Sequence, residues 1–239
     1  MTIAGILFDK DGTLLDYQAT WMPLNKMAAL EVAGGDAALA ERLLVAIGYD
    51  PATDSCLPNS PIVAAGNDEI GAAWAALTGG DPEATTARLT AVFEANSAEK
   101  AVAVAGMEAV LAALRARGLV LGIATNDSED SAYASLTPFD VLDHFAFVAG
   151  FDSGHGAKPA PGMMTGFCAA TGLDPAAVAV VGDSRHDMEM GRGAGAGLLV
   201  GVLTGTGLRE DLEPHAHHVL ESVLELEALL DVLAEKLRA

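Results

Sequence analysis

The chain has 239 residues, a mass of 24.4 kDa and a formal net charge of −20, from 33 acidic and 13 basic residues. Apolar residues make up 51%, enough for a substantial core in one good-sized domain or in a core domain with a smaller insert. So acidic a chain lacks the Lys and Arg surplus needed to grip a nucleic acid backbone or an anionic bilayer, yet a small phosphate stays bindable through a local Lys, backbone N–H groups or a cation.

The N-terminal stretch MTIAGILFDKDG has neither a basic region nor an apolar run long enough for a signal peptide, and no stretch is long and apolar enough to span a membrane. Cys56 and Cys168 lie outside any CxxC and read as reduced thiols. A cytoplasmic location is the expectation. In chain order, Ile3–Phe8 is a short apolar run ending at an Asp, the pattern of a buried strand. Residues 16–101 change character, with Ala/Leu-rich helices over Trp21–Val32, Asp36–Ile47, Ile62–Leu77 and Pro82–Asn96, and a Pro/Ser loop over Asp54–Pro61.

From Gly106 onward, helix and strand alternate. Helices are expected at Met107–Arg117, Glu129–Leu136, Pro159–Thr171 and Arg185–Arg192. Strands are expected at Leu119–Ala124, Phe145–Ala149, Val178–Val181 and Gly197–Val202. Ser222-x-x-Glu225 matches a capping box opening a last helix to about Leu237. Strands separated by helices of this length predict βαβ units, hence an α/β fold with a Rossmann-like parallel sheet and a smaller all-helical insert. The expected division is 1–15 with 102–239 for the α/β core and 16–101 for the insert.

The polar residues of interest all fall just after predicted strands: Asp9/Asp11, Thr125/Asn126, Lys158 and Asp183/Asp187. Each cluster alone has an ordinary reading as a surface turn, a helix cap or a solvated lysine. Together on the carboxyl edge of one sheet, where open α/β folds bind ligands, they read as a metal-assisted phosphoryl-transfer site. Clustered carboxylates need a cation, and oxygen-only ligands suit Mg²⁺. Asp9, at a rigid strand end, can attack phosphorus and bind the metal. Asp11 can protonate the leaving oxygen and then activate water. Lys158, Asn126 and Thr125 can hold the equatorial oxygens, and Gly12 lets the backbone come close.

Phe8-Asp9-Lys10-Asp11-Gly12-Thr13-Leu14 resembles the first motif of the haloacid dehalogenase-like hydrolase superfamily. Ala124-Thr125-Asn126, Lys158-Pro159 and Gly182-Asp183-Ser184-x-x-Asp187 resemble the second, third and fourth, in the same order. The resemblance implies Asp9 as nucleophile and metal ligand, Asp11 as general acid/base with its carbonyl on the metal, Asp183 as direct ligand and Asp187 as support for the metal, through water or from behind Asp183. Thr125, Asn126 and Lys158 bind phosphate by the same resemblance, with Asp11 and Gly12 also lining the substrate.

Asp11 argues against a haloalkanoic dehalogenase, a branch that lacks this second Asp. The insert after the first motif resembles the helical cap of the phosphoglycolate phosphatase-like branch, as does Gly150–Met163. The implied activity is a Mg²⁺-dependent phosphatase acting through an aspartyl-phosphate on a small anionic phosphate ester, 2-phosphoglycolate first. The alternatives are another small metabolite phosphate, a β-phosphoglucomutase-like mutase, or an acidic interaction module with a degenerate site. The expected state is a monomer or homodimer.

Asp127 departs from many relatives, and the expectation is either that it points away from the phosphate or that the substrate range shifts. The cap segment has 12 acidic and 4 basic residues, and a substrate carboxylate would find Lys26, Arg42, Arg88, Lys100 or the N–H groups near Pro58–Ser60. Trp21, Met22 and Met27 read as packing residues more than cleft lining. His155 reads equally as a loop residue or a substrate contact. His215, His217 and His218 read as a surface group rather than a zinc site.

Overall fold

The computed structural model describes residues 2–57 and 60–236, so Leu237 and the Pro58–Asn59 part of the expected loop lie outside the described residues. Two compact units form, one of residues up to Asp16 with those from Val102 on, the other Tyr17–Ala101. The first unit opens with β1 (Gly5–Phe8), whose Ile6, Leu7 and Phe8 are fully buried, as an apolar strand covered on both faces must be. The chain leaves this unit after Asp16 and re-enters at Val102. Leu15 bridges Ala103, and the Asp16 N–H donates to Val102 O at 2.8 Å.

The second unit contains α1 (Tyr17–Val32), α2 (Ala37–Ala46), β2 (Tyr49–Asp50), β3 (Ser55–Cys56), α3 (Pro61–Ala64), α4 (Asn67–Thr78) and α5 (Pro82–Lys100). Its own core includes Leu24, Leu43, Ile47, Trp74 and Leu89. The Trp74 indole N–H donates to Leu43 O at 2.9 Å, which satisfies the polar end of a fully buried ring. Asp36 and Asp81 cap α2 and α5 by accepting from N–H groups of the first turn.

The unit is helical apart from the antiparallel ribbon β2–β3, whose second strand lies in the stretch expected to be a Pro/Ser loop. The single helix expected over Ile62–Leu77 is two, because Ala65 and Gly66 take extended backbone. Met22 is buried in this core and Trp21 packs edge-on against Phe93 at 5.5 Å, so both pack as expected.

The first unit resumes with α6 (Met107–Ala116), β4 (Val120–Ala124), α7 (Glu129–Leu136), β5 (Phe145–Ala149), α8 (Gly162–Thr171), β6 (Val178–Gly182) and α9 (Arg185–Ala194). It ends with β7 (Leu198–Val202), α10 (Arg209–Leu212), β8 (His218–Leu220) and α11 (Leu226–Lys236). The sheet runs β5-β4-β1-β6-β7-β8, all pairs parallel. The order reverses at β1, which lies between β4 and β6, and a crevice at the strand carboxyl ends belongs at such a switch point.

Phe8 is level with Ile123 and with Val181, so Asp9, Thr125 and Asp183 leave the sheet along one edge. α8 starts at Gly162 rather than Pro159; the Lys158–Pro159 peptide is cis and Pro161 precedes the first helical residue. Ser222 caps a short 3₁₀ turn through Leu224 N–H, and α11 begins only at Leu226. Among the described residues no helix is long and apolar enough to cross a membrane.

Candidate active site

Asp9 follows β1 directly, its N–H fixed to Val181 O at 2.8 Å. One carboxylate oxygen accepts from Lys158 Nζ at 2.6 Å and the other from Thr13 Oγ1 at 3.3 Å. Lys158 spends its other ammonium protons on Asp187 Oδ1 at 2.6 Å and on Ala124 O, the last carbonyl of β4, at 3.0 Å. Asp187, in the first turn of α9, accepts from both the N–H and the Oγ of Ser184 through its second oxygen. Asp183, after β6, accepts from the Thr206 N–H at 2.8 Å and Oγ1 at 3.3 Å.

Asp9, Asp183 and Asp187 are all buried and each has a carboxylate oxygen within 4.8 Å of the others'. Burial pushes the Asp9 carboxyl well above its usual range; Lys158 opposes this, while Asp187, Asp183 and Asp11 add to it. Burial together with Asp187 pushes Asp183 up to about 7, against the Thr206 N–H and Lys158. Burial would lower the Lys158 ammonium, but Asp187 and Asp9 outweigh it and hold it raised. Three buried carboxylates beside one ammonium leave excess negative charge. A hard divalent cation, bound through oxygens alone, fits that donor set.

Asn126 reaches the same cluster by an unexpected route. Its side chain donates to Lys158 O at 3.0 Å and accepts from Lys158 N–H at 2.7 Å. The amide thus clamps the backbone of the lysine, and both its polar ends are engaged there. Thr125 is buried; its N–H donates to Ala149 O and its Oγ1 accepts from the Asp127 N–H at 3.1 Å. Asp127 turns to Lys10 and Ser131. Gly12 has φ +80°, and a Cβ there would lie 2.6 Å from both Asp183 Oδ2 and Gly205 Cα. Asp11 lies beside Lys10, its Oδ2 2.6 Å from Nζ.

Sequence reasoning missed the loop after β7. Thr204 Oγ1 donates to Gly12 O at 2.7 Å, and Thr206 holds Asp183. Gly205 and Gly207 approach Asp183 so closely that a Cβ at either would collide with it. The available signal was Thr204-Gly205-Thr206-Gly207 following an apolar strand on the same sheet edge.

Three of the four charged candidates pair at the surface of their own unit. Lys26 pairs with Asp54, Arg88 with Glu31 and Lys100 with Glu99. His155 packs its ring 5.6 Å from that of Phe147 and against Gly166. His217 Nδ1 accepts from the Leu199 N–H. Among the described residues, the three histidines form no group with metal-ligand spacing. Cys56 and Cys168 are both free thiols.

A family model described as haloacid dehalogenase-like hydrolase matches residues 3–195. A phosphoglycolate phosphatase of Neisseria meningitidis is 37% identical over 100 residues, 42% of this chain and 42% of that one, so this match spans less than half of either protein. An N-acetylmuramic acid 6-phosphate phosphatase of Pseudomonas putida is 30% identical over 200 residues, 82% of this chain and 81% of that one. The crystal structure of a hydrolase of the same superfamily from Geobacter sulfurreducens superposes with a TM-score of 0.68 at 19% identity, covering 95% and 96% of the two chains.

Proposed function

Since the chain belongs to the haloacid dehalogenase-like hydrolases, we propose that it is a Mg²⁺-dependent phosphomonoesterase working through an aspartyl-phosphate on Asp9. The observation that carries this reading is the buried set Asp9, Asp183 and Asp187 on one sheet edge, joined by Lys158. Asp9, Asp183 and Asp187, with the Asp11 carbonyl, would hold the cation. When bound, Mg²⁺ supplies positive charge against the phosphoryl oxygens.

An Asp9 carboxylate oxygen forms a bond to phosphorus as the bond from phosphorus to the ester oxygen breaks. Asp11 gives its proton to that leaving oxygen. Water then attacks phosphorus, passes a proton to Asp11 and releases phosphate from Asp9. Lys158 places a fixed positive charge on Asp9, and Asn126 holds the Lys158 backbone with its amide oxygen and one amide N–H, its second N–H being the one for a phosphate oxygen. The Thr125 hydroxyl, which accepts from Asp127, offers its proton to a phosphate oxygen.

The first-choice substrate is 2-phosphoglycolate, and the relative matched over most of its length favours N-acetylmuramic acid 6-phosphate as a second reading. Both compounds join a phosphate monoester to a carboxylate, and that class is what we propose the chain accepts. The expected location is the cytoplasm.

Phosphate release from these two esters, hexose phosphates, nucleotides and pyrophosphate, with and without Mg²⁺, tests the reading. Preference for a carboxylate-bearing ester supports it. A hexose phosphate that is isomerised rather than hydrolysed, or no turnover of any ester, rejects it. Asp9→Asn is expected to lower kcat at least about 10³-fold with its melting temperature within a few degrees of wild type. Full activity in that variant would exclude an aspartyl-phosphate at this position.

A further inference from the structure

Lys10 stands between the two aspartates of the first motif, yet its side chain is only 1% exposed. A buried ammonium must be paired. Lys10 Nζ lies 2.6 Å from Asp11 Oδ2 and 3.2 Å from Asp127 Oδ2. Asp127 is itself held firmly. Its Oδ2 accepts from Ser131 Oγ at 2.6 Å, its Oδ1 accepts from the Ser128 N–H at 2.9 Å, and its carbonyl accepts from the Phe151 N–H. A continuous run Ser131–Asp127–Lys10–Asp11 therefore links the start of α7 to the rim of the site.

The run has a mechanical consequence. Asp11 has two side-chain torsions and sits in the turn after β1, partly open to solvent, with 16% of its side chain exposed. A proton donor works only when it stays within hydrogen-bond reach of the leaving oxygen, and an error of about 1 Å can cost 10²-fold in rate. A short charged hydrogen bond from a buried lysine restricts those torsions, and the lysine in turn is aimed by Asp127.

From this geometry we propose that Lys10 and Asp127 are positioning residues that hold the Asp11 carboxyl group in its working orientation, Lys10 on one of its two oxygens. The pairing also accounts for an Asp directly after Asn126, since this Asp receives the lysine that follows Asp9. The inference rests on Asp11 acting as the acid and base of the reaction. It differs from a plain structural staple between two loops, which would affect stability whether or not Asp11 is present.

The test compares wild type, Asp127→Asn, Asp11→Asn and the double variant with 2-phosphoglycolate, N-acetylmuramic acid 6-phosphate and p-nitrophenyl phosphate at saturating Mg²⁺. Asp127→Asn keeps the shape of the side chain and removes the charge that aims Lys10. Its kcat is expected to fall about 10- to 100-fold with KM within about twofold, because alignment rather than ground-state binding is lost. In the Asp11→Asn background, the same substitution should change the single-turnover rate less than about twofold.

A crystal structure of Asp127→Asn should show the Asp11 side chain in a different rotamer. An Asp127→Asn protein with kcat within about twofold of wild type, an equal loss in the Asp11→Asn background, or an unmoved Asp11 overturns the proposal. If Asp127→Asn does not fold, Ser131→Ala removes one bond to the same carboxylate, and a fall in kcat of about threefold or more at unchanged KM is expected. Wild-type activity with a silent Asp127→Asn defeats this inference alone, whereas an inactive wild type defeats the functional reading beneath it.

Discussion

Gly12 combines a left-handed backbone with a contact that excludes a side chain. Gly12→Ala is expected to cost about 1–3 kcal/mol and to displace the Asp183 carboxylate, weakening Mg²⁺ binding by about tenfold or more. Gly118 is the natural control. It has the same φ of +80°, but nothing lies within 4 Å of a Cβ built there. Gly118→Ala should therefore lose about 1 kcal/mol with unchanged Mg²⁺ affinity. Urea unfolding and calorimetric titration separate strain from site damage; equal Mg²⁺ affinities in the two variants would deny the clash. Other contacts at this scale were less readable. Asn126 and Lys158 were visible as polar residues after strands, but the clamp of one on the backbone of the other joins positions 32 apart in sequence. Periodicity reports on local burial and carries no signal for such a pair.

At the level of elements, the strand ends present the site and helix α9 anchors one side of it. Ser184 precedes α9 and gives both its N–H and its hydroxyl to Asp187, which in turn holds Lys158. Ser184→Ala should destabilise the protein by about 1 kcal/mol through the lost helix-start contact. It should also weaken Mg²⁺ binding by several-fold, because Asp187 loses one of the donors that orient it. Stability loss without any change in Mg²⁺ affinity would restrict Ser184 to a capping role. Strands β1, β4, β5, β6 and β7 were legible as short apolar runs, with Asp9, Thr125 and Asp183 closing three of them, whereas the three-residue β8 opens on His218 and fell in no expected element. The ribbon β2–β3 was not legible either, since two-residue strands leave no alternation to detect. The break between α3 and α4 was hidden in an Ala-rich stretch with strong helix propensity, and Gly66 was its one local mark.

Across the whole molecule, 33 acidic residues set the net charge of −20, and three of them are buried together as one cluster. This gives a pH dependence for the metal-free protein. Asp183 has an ordinary value of 3.8 and is raised to about 7 in the fold, so between these values the native state holds a proton that the unfolded chain has lost. The stability contribution of that proton is present below 3.8 and is lost as pH rises through about 7. Mg²⁺ favours the ionised carboxylates, so the increase in melting temperature it produces should be larger at pH 8 than at pH 5. Thermal melts at matched ionic strength measure this directly. An equal increase at both pH values would mean that the cation binds without displacing protons here.

The parallel α/β class, the helical insert after the first motif and the candidate carboxylates and lysine are all legible in the order of residues along the chain. These follow from local patterns: apolar runs, their spacing, and polar residues at their carboxyl ends. Which atoms meet depends on the folded packing. It brought Thr206 onto Asp183, the Asn126 amide onto the Lys158 backbone, and a buried Lys10 between Asp11 and Asp127. The physical reason is that hydrogen bonds and ion pairs depend on tenths of an ångström between segments far apart in the chain. Those separations are set by the packing of strands β1, β4, β6 and β7 and by the loops that follow them.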